Sequence, residues 1–206
     1  PQLDFLGERS GHLQAKTLIW MSDSLRATAI HSVLFENEDF LATCDSLIWD
    51  DQQHWIQLFQ DPNLQSEDRE LQGRFIHVAF DSLRALDSLI VRGAAQMLSP
   101  ASSVSIDLFD ALQGDSLDLS FQAGSLSEVL VRGDGMSVLF IRDKAGKAGM
   151  NVARAPQMSF HMDSTGVESI QMQGGVKAFW LGLDEPEQAA PVVPDEEKSG
   201  MKEDEE

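Results

Sequence analysis

The side chains that could do acid–base or metal chemistry are few and widely spaced in this chain of 206 residues. A metal site would need at least three of its five histidines to converge. Two of them lie on what we predict below to be the outer, polar face of strands, so exposed or hydrogen-bonded histidines are the simpler interpretation. The histidines are His12, His31, His54, His77 and His161.

Two aspartates, Asp45 and Asp115, occupy equivalent positions in an internal repeat. A pair of carboxylates can act as acid and base in glycoside hydrolysis. The same position holds Lys16, Arg74 and Pro156 in other copies of the repeat, and a catalytic column would not usually accept lysine or proline. A carbohydrate-active enzyme on a β-solenoid is therefore only the third hypothesis.

Other signals of catalysis are missing from the sequence. The single cysteine, Cys44, excludes disulfide frameworks, CxxC redox pairs and thiolate zinc clusters, and it is most simply a small buried hydrophobe. There is no HExxH, GxxxxGKS/T or GxSxG motif, and Gly133–Val138 lacks the third glycine of a dinucleotide-binding loop. We predict no catalytic residue, no cofactor and no metal.

The net charge of the chain limits the classes of partner that it can bind. Lys and Arg number 15 against 34 Asp and Glu, which gives a net charge of −19 and argues against binding to a phosphate backbone. No run of about 18 apolar residues exists, so we predict no transmembrane segment. The first residues form no basic-then-apolar leader, and we expect that a signal segment was either never present or has been removed.

The chain divides into a body, residues 1–183, and a tail, residues 184–206. The tail combines acidic residues with three prolines and has almost nothing to bury. We therefore predict a disordered, solvated tail, with a partner-binding acidic segment as the alternative.

The body is built from a repeat. Five segments align so that one column holds only small residues, as expected where a neighbouring segment comes close. Three and five residues further on, two columns are wholly apolar, and a spacing of two places them on one face of a strand. The small column is Ala15, Cys44, Gly73, Gly114 and Ala155. The apolar columns and their continuation, which we predict to line a groove, are Leu18, Trp20, Leu47, Trp49, Ile76, Val78, Phe80, Leu117, Leu119, Phe121, Met158, Phe160 and Met162.

A second strand, which ends at a glycine, is clearest in the last three repeats. Leu86–Gly93, Leu126–Gly133 and Val167–Gly174 superpose without gaps, and each is followed by another strand-like run. The glycine is a natural bulge or turn position. Asp50-Asp51, Gln122–Gly124 and Asp163–Gly166 supply hairpin turns.

Helix signals are weak, although Gln52–Gln60 or Ala101–Leu112 could hold about one turn of helix. The alternation of apolar and polar positions predicts an all-β, antiparallel fold whose sheets enclose one apolar interior. Trp20 and Trp49 are either ordinary core residues or the lining of a cavity for an apolar ligand.

Two units carry a family resemblance. Leu71–Phe80 (LQGRFIHVAF) with Leu89–Gly93 (LIVRG), and Leu112–Phe121 (LQGDSLDLSF) with Val129–Gly133 (VLVRG), resemble the OstA-like family, which is related to the lipopolysaccharide-transport protein LptA and to the periplasmic part of LptD. Phe140–Asn151 (FIRDKAGKAGMN) is similar to OstA-like proteins of the Bacteroidetes type.

This resemblance implies a β-jellyroll, two antiparallel sheets in an open V, whose apolar interior shelters the acyl chains of lipopolysaccharide or a related glycolipid in the periplasm. It also implies partners: other lipopolysaccharide-transport proteins, or further copies of the chain, joined end to end through edge strands. We expect the lipid headgroup to stay in solvent or to meet Arg74, Arg92 or Arg132. The leading hypothesis is a non-enzymatic transport module, and the alternative is a protein-interaction module with a filled core that docks partners through its edge strands.

Overall fold

A computed structural model describes residues 1–5, 11–66, 68–101, 108–142, 148–163 and 166–182. In these ranges the chain forms a 15-stranded antiparallel sheet. Hydrophobic alternation with a period of two is the cause, since it suits a strand that buries one face. The strands are β1 (Gln2–Phe5), β2 (Gly11–Gln14), β3 (Thr17–Met21), β4 (Arg26–Asn37), β5 (Leu41–Asp50), β6 (Trp55–Phe59), β7 (Asn63–Gln65), β8 (Glu70–Gln72), β9 (Phe75–Phe80), β10 (Leu86–Pro100), β11 (Phe109–Gln122), β12 (Ser125–Arg142), β13 (Ala148–Asp163), β14 (Gly166–Gln173) and β15 (Lys177–Gly182).

The long strands each belong to two half-sheets. β10, for example, pairs with β9 through Leu86–Arg92 and with β8 through Gln96–Leu98, and its register with β11 shifts between Arg92 and Ala95. The same division runs through β4, β5, β11, β12 and β13. Half-sheet I contains β3, β6, β9, β14 and one end of each long strand, whereas half-sheet II contains β1, β2, β7, β8, β15 and the other ends.

The bend between the half-sheets has a backbone cause. Gly93 and Ala94 have φ values of 76° and 52°, and Gly133 and Asp134 have values of 75° and 43°. Such left-handed residues form β-bulges that turn a strand. The predicted bulge or turn at these glycines is therefore confirmed, and Gly174, with φ 97°, separates β14 from β15 in the same way.

The small-residue column lies beside these bulges. A Cβ atom added to Gly114 would lie 2.8 Å from Cγ1 of Val131 and 2.9 Å from the carbonyl oxygen of Arg132. At Gly73 the corresponding atoms belong to Val91 and Arg92. The predicted close approach is confirmed, and the neighbour is the bent part of the adjacent strand.

The inward faces of both half-sheets form one hydrophobic core, which includes Leu13, Leu71 and Leu112 from half-sheet II and Leu47, Ile76 and Leu117 from half-sheet I. The prediction of an all-β fold around one apolar interior is therefore confirmed. The suggested helical turn in Gln52–Gln60 is wrong, because the alternating burial of Trp55–Phe59 makes it strand β6. In Ala101–Leu112, Phe109–Leu112 is part of β11 and 102–107 lie outside the described residues.

The division of the chain into a body and a tail is not tested by this structure. Residues 183–206, which include the whole predicted tail, lie outside the described part. The described part holds no helix that is long and apolar enough to cross a membrane.

Candidate functional site

Strand register joins each predicted apolar column into a continuous row on the inner face of half-sheet I. One row runs Leu18, Ala29, Leu47, Leu58, Ile76, Val91, Leu117, Val131, Met158 and Met172. The next runs Trp20, Ala27, Trp49, Ile56, Val78, Leu89, Leu119, Val129, Phe160 and Ile170. The structure thus brings the repeat's columns together into two apolar stripes.

The predicted groove residues differ in exposure along these rows. Those in the middle of the rows are fully buried, namely Leu47, Ile76, Val78, Leu117, Leu119, Met158 and Phe160. Leu18, Trp49, Phe80, Phe121 and Met162 are half-buried. Trp20 is 41% exposed. The interior is therefore filled in its middle and more open toward the ends of the rows.

Trp20 and Trp49, which the sequence assigned either to the core or to a cavity lining, lie on either side of Ala27. Ala27 of β4 pairs with Trp20 of β3 and with Trp49 of β5. Trp49 packs against the core and meets Phe35 edge-on, with ring centroids 6.5 Å apart. Trp20 belongs to the edge strand β3 and is more exposed than Trp49.

A cavity of about 880 Å³ lies where the rows end, between the two half-sheets at the β13–β15 end of the molecule. Of the predicted groove residues, Phe160 and Met162 line it. Half-sheet I supplies an apolar wall of Leu126, Val129, Phe160, Met162, Ile170 and Met172. Half-sheet II supplies Met97, Leu112, Leu139 and Ala178, together with the polar residues Ser99, Asp110 and Asn151.

Several cavity residues were missed at the sequence level although a signal existed. Ile170 and Met172 align with Leu89 and Val91 in the superposed second strands, and the prediction used only the first-strand columns. Trp180 also lies at this end, where its indole ring covers Gly149 and its backbone pairs with Asn151. The absence of a side chain at Gly149 gives the ring its place.

Of the carboxyl groups that line the cavity, that of Asp110 is the least exposed. The amide N–H of Phe140 donates a hydrogen bond of 2.7 Å to Oδ1 of Asp110. Burial raises the pKa of Asp110 above its ordinary value, and this hydrogen bond offsets part of that rise. Asp110 is thus a strong acceptor placed among apolar side chains.

The charged residues at the cavity are mostly acidic. Asp68, Asp163 and Glu168 join Asp110 in its lining, and the only cation among the described lining residues is Arg69. Arg69 forms an ion pair with Asp68 at 2.9 Å. The mouth therefore offers little attraction to an anionic group.

The three arginines expected near a lipid headgroup lie elsewhere. Arg92 and Arg132 both form ion pairs with Asp118 on the outer face of half-sheet I, and the Arg74 side chain packs beside Gly93 at the bend. None of them is among the residues that line the cavity.

The side chains that could bind a metal ion do not lie together, and the single thiol is unreactive. His31 contacts Asp45 at 3.3 Å on the surface, and His161 lies 3.8 Å from Glu128. In the described ranges no three His, Cys, Asp or Glu side chains are grouped as a metal ion would need. Burial raises the pKa of Cys44 to about 12, and its Sγ donates to the carbonyl oxygen of Ser46, so the thiol is protonated and of low nucleophilicity at neutral pH.

Each end of the sheet exposes two strands that have one partner in the described structure. β1 pairs with β2 and β3 pairs with β4 at one end, whereas β14 and β15 both pair with β13 at the other. Much of the exposed apolar surface lies on these strands: Ile19, Trp20 and Met21 on β3, Val167 and Ile170 on β14, and Phe179, Trp180 and Leu181 on β15.

No known protein family matches the sequence, and no curated protein matches it significantly. Among solved structures, the protein is similar to LptH of Pseudomonas aeruginosa, described as the LptA-homologous periplasmic component of the lipopolysaccharide transport device. The TM-score is 0.49 and the sequence identity 12%, over 68% of this chain and 93% of LptH.

Proposed function

We propose that this protein is a non-enzymatic, periplasmic lipid-binding module that holds acyl chains of lipopolysaccharide or a related glycolipid between its half-sheets and passes them along a transport bridge. The observation that carries the proposal is the cavity of about 880 Å³, one wall of which is mainly apolar. Ligand cavities are typically about 300–1,000 Å³ and mostly apolar. The OstA-like repeat supports the choice of ligand and compartment.

Physical chemistry favours acyl chains as the ligand. Burying a methylene group stabilises a complex by about 0.8 kcal/mol, so a chain of ordinary length can be held by apolar contact alone. The apolar wall ends at the half-buried Met162 and Met172, whose flexible side chains adapt to ligands of different shape. The proposed route begins at this cavity, because the middle of the interior is already filled.

Transfer along a bridge requires contact with a neighbour. In the described part of the chain, β3 and β14 in half-sheet I, and β1 and β15 in half-sheet II, each pair with one strand only and form the edges at opposite ends. Pairing of one end with the other end of a second copy, or with a related transport protein, would continue both half-sheets and the apolar interior.

Lipid titration of two variants tests the proposal. Met172→Asp places a charge on the apolar wall of the cavity, and Val176→Asp places one at a residue that is 46% exposed and outside the lining. We expect Met172→Asp to weaken lipopolysaccharide binding by at least about tenfold, because an acyl chain would have to desolvate a carboxylate. Val176→Asp should bind as the native protein does.

Binding is measured by competition with a fluorescent acyl probe, and far-UV circular dichroism shows that each variant is folded. A plain phospholipid is titrated in parallel and should bind more weakly. Failure of the folded native protein to bind either lipid, or equal binding by both variants, would reject the cavity as a lipid site.

A second function has an observation of its own. Leu47, Ile76 and Leu117 are each 0% exposed, so most of the interior is an ordinary packed core. This favours the protein-interaction module that docks partners through its edge strands. Absence of lipid binding combined with capture of a strand from a partner would support that function.

A further inference from the structure

The cavity has two chemically different walls. Half-sheet I presents the apolar side chains of Phe160, Met162, Ile170 and Met172, and its polar lining residues Asp163, Glu168 and Ser169 are exposed to solvent. Half-sheet II carries a row that reads Ser99, Asp110, Leu139, Asn151 and Trp180 from strand to strand, and the first four of these line the cavity. Asp110 is placed in this row by its hydrogen bond with Phe140, the residue after Leu139. A simple hydrocarbon would need no such polar row.

The polar groups of this row have capacity for a ligand. Among the described residues, the Phe140 amide is the one donor that reaches the Asp110 carboxylate. A carboxylate has two oxygens and about four acceptor sites. No residue of the described part forms a side-chain hydrogen bond with Ser99 or Asn151. The three side chains line the cavity and can accept or donate hydrogen bonds there.

The next row, one step closer to the bend, carries another polar group. Ser137 lies between Leu112 and Ala153 on the inner face and is 0% exposed, yet its Oγ has no hydrogen-bond partner among the described residues. A buried hydroxyl without a partner is costly. Ser137 is paired with Leu112, which lines the cavity, so this hydroxyl lies next to a lining residue.

We propose that this cavity selects acyl chains that carry a hydrogen-bonding group, a hydroxyl or an amide, over plain acyl chains, and that Ser99, Asp110 and Asn151 form the surface that recognises this group. The hydrocarbon part lies on the apolar wall of half-sheet I, and the hydroxyl or amide N–H donates to Asp110. The acidic mouth disfavours a charged anionic end at the same position. The inference rests on the proposed function, because it concerns the same cavity.

Two uncharged esters of equal chain length provide the test: methyl 3-hydroxytetradecanoate and methyl tetradecanoate. With the full chain, we expect the hydroxy ester to displace a fluorescent acyl probe at about tenfold lower concentration, as one hydrogen bond to a charged acceptor implies. In the variants Asp110→Leu and Asn151→Leu, the new side chain is similar in size to the one it replaces but forms no hydrogen bond. Both variants should bind the plain ester at least as well as the native protein. Each should lose most of the preference for the hydroxy ester.

Asp87→Leu is the matched control, because Asp87 is an exposed carboxylate on β10 outside the cavity lining. It should keep the full preference. Should Asp110→Leu fail to fold, because the Phe140 amide loses its acceptor, Asn151→Leu decides the result. Equal binding of both esters by the native protein, or a preference that survives in the folded variants, overturns the inference and leaves the lipid site standing. Binding of neither ester overturns the proposed function as well.

Discussion

At the scale of single residues, the position of a group matters more than its type. Asp110 and Asp118 are both strand aspartates of β11, and their roles differ. Asp118 lies on the outer face between two arginines, whereas Asp110 lies in the cavity, where burial raises its pKa. One carboxylate joins strands, and the other is available to a ligand.

The raised pKa of Asp110 predicts a pH-dependent effect on stability. The folded protein binds the proton at higher pH than the unfolded chain, so this group's contribution to stability is present at low pH and is lost as the pH rises through the folded-state pKa. Asp110→Asn removes the titration and keeps an oxygen acceptor for the Phe140 amide. At pH 7 we expect the Asp110→Asn variant to unfold at a higher temperature than the native protein. At about pH 3 the two should unfold at the same temperature.

Thermal unfolding followed by circular dichroism across this pH range measures the difference. Asp87→Asn, at an exposed position, should show no such trend. A constant difference at all pH values would mean that burial does not perturb the carboxyl group of Asp110.

At the scale of elements, the repeat builds a strand with a bend in it. Left-handed residues such as Gly93 and Gly133 turn the strand, and small residues such as Gly73 and Gly114 make room for that turn on the neighbouring strand. The left-handed residues of one strand and the small residues of its neighbour therefore act together to form the bend.

Gly114→Ala tests the role of the small residues in this bend. Its Cβ would meet Cγ1 of Val131 at 2.8 Å and a backbone oxygen at 2.9 Å, and backbone cannot move aside cheaply. We expect a loss of about 1–3 kcal/mol in the free energy of unfolding, as overpacking usually gives. Gly175→Ala, where nothing lies within 4 Å of the added atom, should change it by less than about 0.5 kcal/mol.

Urea denaturation of both variants gives these values. An equal loss at the two positions would show that contact with the bent strand does not explain the small-residue column, since the lower backbone entropy of the unfolded alanine variants would by itself stabilise both.

At the scale of the whole molecule, both ends of the sheet are open and apolar. Ile19 on β3 is 48% exposed and Phe179 on β15 is 55% exposed, and each lies on a strand with one partner in the described structure. Exposed apolar edges favour addition of another strand. The arrangement therefore predicts head-to-tail association.

Lysine at an edge strand opposes such pairing. We expect the native protein to associate with rising concentration in sedimentation velocity, and Ile19→Lys or Phe179→Lys each to block one end and prevent growth. A mixture of the two variants should stop at dimers, because each copy keeps one open end. Leu83→Lys, at a turn residue that is 81% exposed, should associate like the native protein.

Growth of the mixture beyond dimers would contradict head-to-tail pairing. Association of the separate variants like that of the native protein would place the contact on another surface.

The sequence by itself determined the strands and their inner faces, because burial on one face of a strand requires alternation and alternation is visible without coordinates. It also located the bends: positive φ favours glycine, and close backbone approach excludes a side chain, so Gly93 and Gly114 leave a compositional signal. Only the tertiary structure decided which inward residues face a cavity. Phe80 and Phe160 belong to the same predicted face, but open space at Phe160 depends on how far the half-sheets separate at the β13–β15 end. Asp110 shows the same limit, since its polarity at an inward position becomes informative only when the opposite wall is known to be apolar.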